Sequence, residues 1–158
     1  MTLNQRRLTL KGADREIILS GEVSPFSSGY KFLFSVQQGE FFYGLGDLNR
    51  NTIERKGVTA RMWIQNVTRY IPIPFLMSSR GYGLFLNTTF RHTWDVASSD
   101  LAKVQILIPE GPVDLFLFAG KDFKSLLARY TAVTGRRCLR NGLLVSGLSV
   151  GPRPTILR

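Results

Sequence analysis

The 158-residue chain holds one cysteine, Cys138, and one histidine, His92. A single cysteine excludes an internal disulfide framework. One histidine and one cysteine together are too few for a zinc site, which needs several nitrogen, sulfur or carboxylate ligands. No metal and no cofactor is expected. Carboxylates are also scarce, 11 against 21 Lys+Arg. Asp95 and Asp100 lie close in sequence, but a glycosidase pair must face across a cleft, so surface or turn roles are expected for both. No catalytic residue is assigned, and nothing around His92 resembles a nucleophile elbow. It is read as a histidine on a strand surface. No apolar run approaches the roughly 18 residues of a membrane-spanning helix, so no membrane is expected. Residues 1–11 are basic without the apolar core of a signal peptide, which gives a cytoplasmic expectation and makes the N-x-T sequons at Asn66 and Asn87 chance matches.

What is present is globular: 44% hydrophobic and 20% charged residues, enough apolar surface for a core. The net charge of +10 would suit an anionic partner. The basic residues are scattered along the chain, however, and a nucleic-acid groove requires a localised patch. Nucleic acid is therefore not expected as a partner.

Tyr30, Phe32, Phe34 and Val36 alternate with Lys31, Leu33, Ser35 and Gln37, the period of a strand with one buried face. Residues 24–29 carry turn chemistry ahead of it. Gln38, Gly39 and Glu40 turn the chain, and 41–45 returns as the next strand. Residues 8–11 and 16–20 read as short strands, and 49–56 as a polar surface loop. Val58, Ala60 and Met62 mark one face of another strand. The two prolines in 71–75 argue for an edge or entry segment. Tyr82, Leu84 and Leu86 alternate, as do Trp94 and Val96, then Val104, Ile106 and Ile108, and 113–119 adds a further strand. Strands every 8–12 residues or so predict an antiparallel β-sandwich or barrel. One helix follows over about 121–134, with Phe123, Leu126, Leu127 and Tyr130 as a single apolar stripe. Asp122 stands at its start, and Gly135 just beyond its end.

Gly44 and Gly46 flank Leu45 without the third glycine and the helix of a dinucleotide site; the plain reading is a tight strand exit. Trp63, Gln65, Asn66 and Tyr70 form an aromatic-plus-amide loop, the equipment of a sugar site. Simple packing is the alternative reading of these four.

Seven segments in order carry a resemblance. They are Tyr43-Gly44-Leu45-Gly46-Asp47, Trp63-Ile64-Gln65-Asn66, Ile73-Pro74-Phe75, and Arg80-Gly81-Tyr82-Gly83-Leu84-Phe85-Leu86-Asn87. Trp94-Asp95-Val96, Leu115-Phe116-Leu117-Phe118-Ala119-Gly120 and Arg129-Tyr130-Thr131-Ala132-Val133-Thr134-Gly135-Arg136 complete the set. From about residue 30 to 137 the chain resembles the pre-barrel region of glycoside hydrolase family 31, the α-glucosidase and α-xylosidase family. The resemblance implies a galactose-mutarotase-like β-sandwich that packs on a (β/α)₈ barrel, with both catalytic carboxylates in that barrel. The family's "WN-x-D" loop reaches over the barrel mouth. Asn66 stands at its aspartate, so it bonds a hydroxyl as an amide without charge. Trp63, Gln65 and Asn66 are the candidate substrate-binding residues, for an α-glucoside or α-xyloside.

The resemblance sets residues 1–137 as a partial N-terminal sandwich and 138–158 as an irregular tail. Codons chosen for 141–150, read from the third base, spell Trp-Ala-Phe-Gly-Leu-Trp, close to the family's first barrel strand. A frameshift near Arg140 is the resulting expectation. The favoured function is an N-terminal fragment of an α-glycosidase that lacks its barrel and is inactive alone. The alternative is a free-standing carbohydrate-binding module.

Overall fold

A computed structural model describes residues 6–48, 52–63 and 71–135. These residues form strands β1 (Arg6–Lys11), β2 (Ile17–Phe26), β3 (Gly29–Ser35), β4 (Phe42–Gly44), β5 (Val58–Met62), β6 (Phe75–Ser78), β7 (Tyr82–Leu86), β8 (His92–Val96), β9 (Lys103–Ile108) and β10 (Leu115–Ala119), then helix α1 (Phe123–Thr134). Two antiparallel sheets result, ordered β1-β2-β3-β9-β8-β5 and β10-β7-β6-β4. The expected mainly-β sandwich with one C-terminal helix is what the chain forms.

The period-two pattern of β3 buries Phe32 and Phe34 and leaves Ser35 exposed. The expected turn over 24–29 shrinks to Ser27 and Ser28, because β2 stays paired with β3 until Phe26 meets Gly29. Pro25 stands opposite Tyr30 near the hairpin end of β2, a position at the end of a strand where a missing N–H costs least.

The expected return of 41–45 beside the preceding strand does not occur. β9 takes that edge of β3, with Tyr30 opposite Ile108. The turn at Gln38 and Gly39 instead carries the chain across to the second sheet, where β4 pairs with β6. The alternation in β7 also hides a second buried face: all five of its residues are buried. One face joins the intersheet core with Phe34, Phe42, Trp94 and Ile106. The other belongs to a smaller cluster of Phe75, Phe85, Phe118 and Leu126 under α1.

Asp122 caps α1 by accepting the Ser125 N–H at 2.7 Å, and the Ser125 hydroxyl accepts the Asp122 N–H in return at 3.2 Å. This reciprocal box satisfies donors that a helix start leaves open. Leu126 is fully buried, and Tyr130 stacks on Phe75 with ring centroids 4.2 Å apart. Phe123 meets Tyr43 edge-on at 5.1 Å. Leu127 remains 45% exposed, so only part of the stripe is covered.

Candidate functional site

The stretch from Phe41 to Asp47 leaves β4 through three consecutive residues of positive φ: Gly44 at 118°, Leu45 at 61° and Gly46 at 75°. Neighbouring backbone comes close enough to require the two glycines. A Cβ on Gly44 would lie 2.3 Å from the Phe75 carbonyl oxygen, and one on Gly46 would lie 1.9 Å from that of Ile71. Leu45 takes the left-handed conformation at a cost of about 1–2 kcal/mol, offset by its complete burial in the core. Arg55 holds the turn from inside. Its Nε donates to the Gly44 carbonyl at 2.9 Å, its Nη2 to Gly46 at 3.0 Å and its Nη1 to Thr52 at 3.2 Å. Arg55 is only 7% exposed, an exception within a segment read as surface loop, where Thr52 and Ile53 are exposed; residues 49–51 of that segment lie outside the described residues.

A second buried polar set links the turn after β3 to the β6–β7 hairpin. Glu40 is buried, accepts the Gln37 N–H at 2.7 Å and accepts the Ser78 hydroxyl. The Tyr82 hydroxyl lies beside it with no hydrogen-bond partner among the described residues. Burial and the neighbouring Glu40 carboxylate push this phenol far above its ordinary value, so it stays neutral.

His92 is 3% exposed, which corrects the surface reading. It shares the inward phase of β8 with Trp94 and Val96. Its Nδ1 donates to the Phe90 carbonyl at 2.8 Å, leaving Nε2 unpartnered among the described residues. Burial holds the imidazole below its ordinary value, so it is neutral at pH 7. Asp95 serves a turn, as expected, but from a buried position: its carboxylate accepts the N–H of Ser98 at 2.8 Å and of Ser99. Asp100 is exposed and pairs with Lys103 at 3.0 Å. Among the described residues no group of three or more His, Cys, Asp or Glu could hold a metal.

Trp63 directly follows β5 and Arg91 directly precedes β8. Met62 pairs with His92, so the antiparallel ladder brings the two flanking side chains together. The Arg91 guanidinium carbon sits 4.8 Å from the Trp63 ring centroid, a cation–π contact worth about 0.5–1 kcal/mol at an exposed site. The turn at Ser27 and Ser28 and the strand exit at Pro109 and Glu110 reach the same end of the larger sheet. With Trp63 and Arg91 they line a cavity of ≈ 380 Å³. Trp63 is 45% exposed. An open indole, a guanidinium, a carboxylate and two hydroxyls offer apolar contact to C–H groups and both donors and acceptors to hydroxyls. Gln65, Asn66 and Tyr70 lie outside the described residues.

The profile of the glycosyl hydrolase 31 N-terminal galactose mutarotase-like domain matches residues 2–95. The chain belongs to that family. Among curated relatives of this family 31 domain, an α-xylosidase of Emericella nidulans is 29% identical over 106 residues, 64% of this chain and 14% of the relative. α-Glucosidase 2 of Bacillus thermoamyloliquefaciens is 26% identical over 113 residues, again 64% of this chain and 14% of the relative. A solved family 31 dextranase of Flavobacterium johnsoniae has the same fold, with a TM-score of 0.72 and 22% identity over 80% of this chain and 17% of its own. The chain thus spans about a seventh of the curated relatives it matches.

Of the residues that line this cavity, the sequence singled out Trp63 and not Arg91, Glu110, Ser27 or Ser28. Their meeting depends on the pairing of β5 with β8 and of β3 with β9, which no local pattern encodes. Arg55 was missed because a lone cation in a polar stretch carries no sign that it turns inward.

Proposed function

We propose that this family 31 sandwich serves as the N-terminal domain of a longer retaining α-glycosidase. A (β/α)₈ barrel outside this chain would carry the two catalytic carboxylates, and hydrolysis would need no cofactor. The observation behind this is the family match over residues 2–95, set beside relatives of which the chain spans 13–14%. Those relatives are α-xylosidases and α-glucosidases, and the Flavobacterium johnsoniae dextranase was solved with isomaltotriose. An α-linked glucoside or xyloside is therefore the proposed substrate of the whole protein.

In this reading the end bearing Trp63 and Arg91 forms one edge of the sugar pocket. The indole packs against C–H groups of a pyranose while Arg91 and Glu110 bond its hydroxyls. The exposed flank of α1, with Leu127 and Val133, meets the barrel. The pure 158-residue chain is expected to show no turnover of an aryl α-glucoside or α-xyloside. Measurable turnover by it would overturn the assignment of catalysis to a separate barrel.

A second reading, a carbohydrate-binding module that works unaided, draws on the same Trp63 cavity. Calorimetric titration with isomaltotriose separates the two. Binding by the chain alone that is lost in Trp63→Ala supports the module, and silence supports the domain that needs its barrel.

A further inference from the structure

A larger concavity lies at the opposite end of the sandwich. β2 runs from one to the other: its second residue, Ile18, lines this second cavity, and the Ser27 beyond its last residue lines the Trp63 cavity. The turn between β1 and β2, the turn between β6 and β7, and the link into α1 enclose a space of ≈ 680 Å³. That volume is within the roughly 300–1,000 Å³ of small-molecule sites.

Four cations line it, from four parts of the fold: Lys11 at the end of β1, Arg80 in the β6–β7 turn, Lys121 ahead of α1 and Arg129 within α1. Two carboxylates, Asp14 and Glu16, lie on the same wall. Among the described residues, none of the four cations forms an ion pair with either carboxylate; the ion pair of Lys103 and Asp100 is elsewhere. Arg80 gives one N–H to the Gln37 side-chain oxygen, and a guanidinium has five to give. Set against Asp14 and Glu16, the four cations leave an excess of positive charge around the space, and the potential within it is positive. A dianion neutralises that excess and takes charge-assisted hydrogen bonds from several directions. The two carboxylates accept hydrogen bonds and repel an anion, so they fit O–H donors carried on the same ligand.

We propose that this cavity binds a phosphorylated sugar. The phosphate lies among Lys11, Arg80, Lys121 and Arg129, and the sugar hydroxyls donate to Asp14 and Glu16. Neutral sugar lacks the charge for the first set, and inorganic phosphate lacks the hydroxyls for the second. The site is separate from the Trp63 end and does not depend on the glycosidase reading.

The test is isothermal titration of the full chain with glucose 6-phosphate, inorganic phosphate and glucose, at low ionic strength. Glucose 6-phosphate is expected to bind at least tenfold more tightly than either of the others, and to weaken as salt is raised. The double variant Lys121→Gln, Arg129→Gln should lower that affinity tenfold or more. Both side chains are exposed, so an unchanged circular dichroism spectrum is expected of it. Equal affinity for inorganic phosphate, an unaffected double variant, or no binding of the sugar phosphate would each overturn the proposal.

Discussion

Replacing Arg55 with alanine isolates the role of the clamp on the glycine turn. The guanidinium donates to two carbonyls that point into the fold, those of Gly44 and Gly46, and to a third at Thr52. A hydrogen bond to a charged group contributes about 1.5–3 kcal/mol, and an acceptor left buried without a partner costs about 1–3 kcal/mol. Water reaches the exposed Thr52 side and can replace that donor. The Gly44 and Gly46 carbonyls then set the scale, and Arg55→Ala should lose about 3–5 kcal/mol. That is a large share of the total stability of about 5–15 kcal/mol expected for a domain. Arg55→Lys keeps the charge but replaces a planar fork with a single ammonium that cannot serve both carbonyls in the same geometry. It should lose about half as much. Equilibrium urea unfolding, followed by fluorescence of the fully buried Trp94, reads both values. An Arg55→Ala protein within about 0.5 kcal/mol of wild type, the ordinary range of a neutral surface change, would refute the clamp. A lysine variant as stable as wild type would show that charge alone suffices.

Gly46→Ala places a methyl 1.9 Å from the Ile71 carbonyl oxygen at a φ of 75°, so a loss of more than about 4 kcal/mol is expected, seen as absence of a cooperative unfolding transition. His92 gives a pH signature. Its imidazole is held below the ordinary 6.5 by burial, so an unfolded chain takes up the proton first as pH falls; stability is complete above about 6.5 and declines below it until the folded-state imidazole titrates. His92→Gln should flatten that slope in urea titrations between pH 7 and 5, and an unchanged slope would refute it. Leu127→Glu removes an exposed apolar group on α1; stability in urea unfolding should change by less than about 0.5 kcal/mol, and a larger loss would show that Leu127 packs within the fold.

Strands with one face in the core were legible because alternation is their whole signal. β3, β5 and β9 bury Phe32 and Phe34, Ala60 and Met62, and Val104, Ile106 and Ile108, each on one phase. His92 was legible by the same rule, since it stands two residues before Trp94, but its polarity masked the phase. β7 was half legible: the intersheet face alternates, whereas the face under α1 follows from a helix that arrives some forty residues later. The partner of β4 was not legible at all, because crossing to a second sheet and pairing with the preceding strand leave the same local pattern. The candidate site shares that limit. Trp63 announced itself as an aromatic among amides, and Arg91 became its neighbour only through the pairing of Met62 with His92.

The two sheets differ in what they ask of their outer faces. On the larger one, Thr59, Arg61 and Glu22 are exposed and Gln105 and Lys31 half-buried, a face that water can cover. The smaller sheet turns Phe75, Phe85, Phe116 and Phe118 outward, and such a face must be covered by another layer. α1 covers it with Leu126 and Tyr130, yet its own flank keeps Leu127, Phe123 and Val133 partly in water, and Ile71 and Ile73 ahead of β6 are exposed too. Apolar exposure on this side runs along α1 and the approach to β6, whereas Phe26, Ile53 and Leu101 are exposed elsewhere. A sheet with one polar face needs no third layer, whereas a helix laid over a phenylalanine-rich face with its own flank bare invites a further one. That bare flank is the reason the helix side of the small sheet is the proposed contact with the barrel. It also explains why the polar outer face of the large sheet can remain in solvent whatever the helix side meets.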